Sequence, residues 1–271
     1  MAGGHLSRFQ GRGVEFDEVR AYQPGDDIRS MDWRVTARTG KPHSKLFREE
    51  RERPALVLVD MRPAMFFATR GALKAVIAAE CASLLAWSVM QQGDRIGSLV
   101  FAGGSAKTQL LRPLRGRRGV LRMLGNVVNH SQGQPSTPLG NERESFHSML
   151  QRASHAARTG SLIMLISDGR GIDAAAAALL QRLLRHHTIV FVLIYDAFEM
   201  TMPEVGQLQV SDGQNQRHLD TGNAALRQQH RAQFSERQTY LQDLARLPGF
   251  VLLQCATDDD PFTVLRASLG R

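Results

Sequence analysis

Residues Ala55–Asp60 read ALVLVD, an apolar run without alternation that ends on a carboxylate. Alternating apolar and polar residues would mark a strand with one wet face. A continuous Val/Leu run marks a strand covered on both faces, as in a parallel sheet. The same pattern returns at Ser161–Asp168 (SLIMLISD) and Thr188–Asp196 (TIVFVLIYD), and a weaker version at Phe250–Thr257. Helical stretches separate them. These are Gly71–Gln92, closed by Gly93, then Glu142–Thr159, then 174–187 capped by Asp173, then the polar Asn223–Leu247. Strands alternating with helices predict an α/β fold, a doubly wound and mostly parallel sheet with helices on both faces.

Outside that pattern, Arg95–Ala102 reads as a strand. Gly103 and Gly104 turn the chain into an antiparallel partner at Lys107–Leu114. A basic loop, Arg115–Gly119, then opens a short helix to about Val128, and 129–140 reads as loop. Residues 203–220 form a polar hairpin turning at Asp212-Gly213, and Asp260-Pro261 opens the terminal helix.

The chain has 271 residues, 42% of them hydrophobic, which is enough for a sizeable core. Its two cysteines, Cys81 and Cys255, lie in apolar stretches without metal-ligand neighbours, which predicts buried thiols in a cytoplasmic protein rather than a disulfide. No secretory signal is visible, and the apolar helix 72–90 carries Lys74 and Glu80, so it reads as a core helix and not a membrane span. Seven of the net eight positive charges come from one window. No Asp or Glu falls between Arg95 and Asn141, where Lys107, Arg112, Arg115, Arg117, Arg118 and Arg122 form a basic patch. Such a patch suits an acidic partner or peripheral contact with an anionic membrane. Nucleic acid is the weaker reading, because no stacking aromatics lie near it.

The most charged part of the chain is Gly11–Arg38, where acids alternate with arginines around Phe16, Tyr22 and Trp33. Aromatics in such a segment predict that it folds, with the three rings packed on the domain that follows. This gives an N-terminal arm at 1–53 and an α/β domain at 54–271. The arm carries the pattern formed by Gly11, Arg12, Gly13, Glu15, Phe16, Arg20, Tyr22, Gly25, Asp26, Asp27, Arg29, Asp32, Trp33, Ala37 and Arg38. Lys45 with Glu50 follows, and later Asp196, Glu199 and Pro203. Together these resemble domain-of-unknown-function family 58. The resemblance implies a von Willebrand factor A-like domain behind the arm. It also implies a non-enzymatic adaptor that works with a MoxR-type AAA+ ATPase in chaperone-like assembly, on a client that the sequence does not name.

A von Willebrand A fold implies an Mg²⁺ site built from D-x-S-x-S, a Thr and a later Asp. Here the first element is Asp60-Met61-Arg62-Pro63-Ala64, so both serine positions are lost. Thr137 and Asp168 are the remaining candidates. Few neutral oxygens make a poor octahedral site, so no cofactor is expected and Asp60 and Asp168 are only weak metal candidates. Arg62 has two readings: a tethered cation whose fork bonds both carboxylates, or a solvent-facing side chain with Asp60 capping the next turn. No phosphate-binding loop or nucleophile elbow is present. A metal-dependent hydrolase is therefore the remote alternative to a binding role.

Overall fold

The computed structural model describes residues 14–49, 53–102, 108–131, 145–211 and 216–269, with the backbone alone at 14–18, 46–49 and 217. Gly11, Arg12, Gly13, Glu50, Gly103, Gly104, Lys107, Thr137 and the Asp212-Gly213 turn lie outside the described residues, as do the side chains of Glu15 and Phe16. The chain divides into two units, 1–52 and 53–271.

In the first unit, β1 (Val14–Ala21) pairs antiparallel with β2 (His43–Glu49). Between them lie a single 3₁₀ turn, Ile28–Ser30, and the short helix α1 (Trp33–Thr39). The signature acids fix this backbone. Asp27 accepts from the Arg29 amide at 2.9 Å and Asp32 from the Arg34 and Val35 amides at 3.0 and 3.1 Å, so each caps the turn behind it. Asp26 accepts from the Gln23 amide at 3.0 Å and from Arg20 Nη2 at 2.6 Å, and these two donors lower its pKa. Gly25 and Gly40 take the positive φ values, 106° and 68°, at the two bends. Within this unit Trp33 is 66% exposed and α1 buries no residue, so Trp33 is not part of a core of the arm itself. It is the first residue after the Asp32 cap on a two-turn helix.

The second unit is built on a six-stranded sheet ordered β10-β7-β6-β3-β4-β5. Its strands are β3 (Ala55–Met61), β4 (Arg95–Ala102), β5 (Gln109–Arg115), β6 (Leu162–Ser167), β7 (Thr188–Tyr195) and β10 (Phe250–Ala256). Five run parallel and β5 alone is antiparallel, at the edge. The expected α/β class is the one found. Helices α2 (Lys74–Gln91), α3 (Gly116–Ser131) and α8 (Pro261–Leu269) cover one face. On the other face lie α4 (Phe146–Ala156), α5 (Ala174–Leu184) and α7 (Ala224–Ala245). Alternation within β3 divides the core: Ala55, Val57, Val59 and Met61 join the first face, Leu56 and Leu58 the second. Each such Val or Leu contributes about 1.5–3 kcal/mol by burial. Two small elements complete the chain: α6 (Ala197–Met200) and the hairpin β8 (Gln207–Ser211) with β9 (Gln216–Asp220).

Two boundaries differ from the expectation for physical reasons. The basic stretch at 115–119 is not a loop: Gly116, at φ 71°, turns the chain straight out of β5, so Arg117 and Arg118 lie in the first turn of α3. Gly119 is there for space, because a Cβ on it would stand 2.5 Å from the Leu114 carbonyl oxygen. Helix α2 starts at Lys74 rather than at Gly71. Gly71 has φ 69° and room only for hydrogen, since a Cβ would sit 2.0 Å from the Thr257 carbonyl oxygen, to which the Ala72 amide donates at 3.0 Å. That close approach sets where Lys74 enters the fold.

Candidate functional site

The carboxyl ends of β3, β6 and β7 bring Asp60, Asp168 and Asp196 to one edge, the edge at which open α/β sheets place their ligand sites. All three are buried, and each is already engaged. Asp60 Oδ1 accepts from the Arg62 amide and from Arg62 Nε, both at 3.0 Å. Its Oδ2 accepts from Arg62 Nη2 and from Ser167 Oγ, both at 2.7 Å. Arg62 is a buried cation, not a surface one. Its fork closes on Asp60, Nη2 also donates to the Arg170 carbonyl at 2.8 Å, and its guanidinium lies over the rings of Phe101 and Phe146 at 5.3 and 5.7 Å.

Asp168 has a different cation. Lys74, 0% exposed, donates from Nζ to Asp168 Oδ2 at 2.9 Å and to Glu199 Oε1 at 3.0 Å. Arg170, its side chain 40% exposed, reaches the same two acids, Glu199 at 2.6 Å and Asp168 at 3.5 Å. Burial pushes the Asp168 carboxyl up. The charges of Lys74, Arg170 and Arg62, with the Lys74 hydrogen bond, outweigh it and hold the group well below the usual carboxylate range. Asp196 is held by neutral donors: Thr69 amide at 2.8 Å and Oγ1 at 2.6 Å, Thr257 Oγ1 at 2.7 Å, and the Phe198 amide at 2.9 Å. They keep it ionised against its burial. It is also the N-cap of α6, in a capping box closed by Glu199 Oε2 accepting from the Asp196 amide at 3.1 Å.

A pH dependence follows for Asp168. Its folded carboxyl titrates below its unfolded counterpart, which is near 3.9. The stability it contributes is therefore fully present above about pH 4 and is lost as pH falls through the lower folded value. Urea midpoints should drop steeply below about pH 4, and Asp168→Asn should flatten that drop while lowering the plateau.

The edge does not fit a divalent cation. Both Asp60 oxygens carry two donors each, which fills the lone-pair directions of a carboxylate. Asp168 faces an ammonium, and Arg62 and Ala64 stand where serine oxygens would be needed. Among the described residues no group of three or more His, Cys, Asp and Glu side chains could hold a metal ion. Beside the edge, a cavity of about 290 Å³ is lined by Arg170, Glu199, His230 and Arg237, among others.

Of the residues singled out from sequence, Asp60, Arg62 and Asp168 are together here, joined by Asp196 and Glu199. Lys74, Arg170 and Ser167 were missed. Lys74 carried a usable signal, because a cation in the first turn of an apolar helix opposes the helix dipole and calls for a compensating anion. The basic residues lie elsewhere. Arg115 pairs in register with Arg95 at the amino end of the parallel strands, and Arg112, Arg115, Arg117, Arg118 and Arg122 are all exposed, with Leu121 exposed between them. Among the described residues no helix is long and apolar enough to cross a membrane.

Fold and edge together define a doubly wound α/β domain whose ligand edge is closed by internal ion pairs. The chain belongs to the family described as "Protein of unknown function DUF58", whose model matches residues 18–240. It is 30% identical over 216 residues to uncharacterized protein Rv1480 of Mycobacterium tuberculosis (strain ATCC 25618 / H37Rv) and to uncharacterized protein Mb1516 of Mycobacterium bovis. The match covers 79% of this chain and spans 65% of the length of each relative. Similar solved structures include the conserved hypothetical protein BatB from Bacteroides thetaiotaomicron, at 15% identity and TM-score 0.47 over 80% of this chain and 96% of that one. A von Willebrand factor type A protein from Catenulispora acidiphila is 13% identical, at TM-score 0.43 over 83% and 42%.

Proposed function

We propose that the chain is a non-enzymatic adaptor that docks on a MoxR-type AAA+ ATPase and serves chaperone-like assembly or maturation of a protein complex. One observation carries the non-enzymatic part. At the edge where a doubly wound sheet would place its chemistry, Asp60, Asp168, Asp196 and Glu199 are all buried and hydrogen-bonded. Acids held this way are poor general bases or nucleophiles. The ATPase as partner comes from the family resemblance.

The arm supplies a docking surface of the right kind. Ile28 and Trp33 are each 66% exposed, among the exposed Arg29, Arg34 and Arg38, and buried Trp and Arg are the usual anchors of protein interfaces. Co-purification at native expression, with and without ATP, tests the reading: an AAA+ ATPase should be retained at moderate salt. Trp33→Ala should leave unfolding free energy within about 0.5 kcal/mol of wild type, yet weaken capture by about 2 kcal/mol, some thirtyfold. No ATPase retained by the wild-type chain would retire the proposal. Turnover in a hydrolase screen with Mg²⁺ and Mn²⁺ would retire its non-enzymatic half.

A second reading rests on the exposed arginines of β5 and α3, which would bind an anionic membrane or nucleic acid. Binding of nucleic acid through about five arginines should weaken roughly 500-fold between 50 and 200 mM salt, whereas a protein interface anchored on Trp33 should not.

A further inference from the structure

We infer that the Lys74 ammonium, seconded by the Arg62 guanidinium, takes the place of a divalent cation at the carboxyl edge of the sheet, so that this edge is assembled and held without metal.

Position is the first ground. Lys74 is the first residue of α2, the helix that follows β3 and Asp60, and its Nζ lies between the acids that follow β6 and β7. An ion at a switch edge sits at such a place, drawing together carboxylates from neighbouring strands. Lys74 bridges Asp168 and Glu199, residues 94 and 125 positions away in the chain. Burial is the second ground. A fully buried ammonium is costly unless it is surrounded by acids at hydrogen-bond distance, and a helix N-terminus makes it costlier. Two carboxylates at 2.9 and 3.0 Å meet that requirement. The third ground is the filling of the donor set. Arg62 occupies the position of the first serine of D-x-S-x-S and gives Asp60 three of its four hydrogen bonds. Charge balance agrees: Arg62, Lys74 and Arg170 face Asp60, Asp168 and Glu199.

The inference is independent of any partner. It predicts that the wild-type chain shows no saturable heat on titration with Mn²⁺ or Mg²⁺, and the same thermal midpoint in EDTA as in millimolar Mg²⁺. Lys74→Met should open the place. Its midpoint falls in EDTA and rises again with Mn²⁺, and its Mn²⁺ affinity exceeds that of wild type by roughly tenfold or more, the least expected from removing one like charge a few ångströms away. If this variant does not accumulate folded, refolding from urea gives the same reading, with folded yield rising with Mn²⁺. A micromolar site in the wild-type chain, abolished by Asp60→Ala, would overturn the inference. So would a K74M chain whose stability or refolding yield ignores Mn²⁺, because Lys74 would then be an ion-pair partner and nothing more.

Discussion

Lys74→Met should lower the free energy of unfolding by about 3–5 kcal/mol at neutral pH, the cost of leaving buried charge without its partner. The side chain is apolar for most of its length and methionine fills much of the same space, so packing accounts for little of the loss. What remains is Asp168 and Glu199, both buried, with Arg170 still beside them at 3.5 and 2.6 Å. The sign with pH is fixed by the same geometry. In the variant Asp168 is no longer held low by Lys74, so its folded pKa rises toward or past the unfolded value. The deficit relative to wild type should shrink as acid neutralises the stranded Asp168 carboxyl. Urea unfolding at several pH values measures both effects.

Arg62→Ala should cost a similar amount, about 3–5 kcal/mol, for partly different reasons. Asp60 would keep the Ser167 hydroxyl and the backbone amide of residue 62 but lose both arms of the fork. The Arg170 carbonyl would lose its Nη2 donor, and Phe101 and Phe146 would lose the guanidinium that lies over their rings. Arg62→Lys should recover only part of this, since an ammonium cannot reproduce two parallel N–H bonds to one carboxylate. Unfolding free energies of the two variants, compared with wild type, separate charge from fork geometry. Both losses should far exceed that of Trp33→Ala, which reverses the ranking that aromaticity alone would give.

The sheet was legible because its information is local. ALVLVD, SLIMLISD and TIVFVLIYD each declare a buried strand, and each ends in the acid that reaches the edge. Arg62 was legible as a cation for Asp60, since the two are neighbours on the chain. That its fork would be fully buried over two rings was not, because Phe101 and Phe146 come from β4 and α4. Lys74 was the larger miss. Read along the chain it is one charge near the start of an apolar helix, which calls for an anion without naming one. Its partners arrive from β6 and α6 when the sheet closes, and no local pattern announces them. In the arm, Arg20 pairs with Asp26 at 2.6 Å, while Asp27 and Asp32 are occupied in capping backbone amides and Trp33 is exposed. A polar residue at a turn satisfies amides before it satisfies a distant charge.

The edge is held by a buried pair between Lys74 and Asp168. A double-mutant cycle tests it directly, with unfolding free energies of wild type, Lys74→Met, Asp168→Asn and the double variant. If the pair exists as described, the double variant is less damaged than the sum of the singles by about 2 kcal/mol or more, in the upper part of the range for contacting charges. Additivity within about 0.5 kcal/mol, as for residues that do not touch, would contradict it.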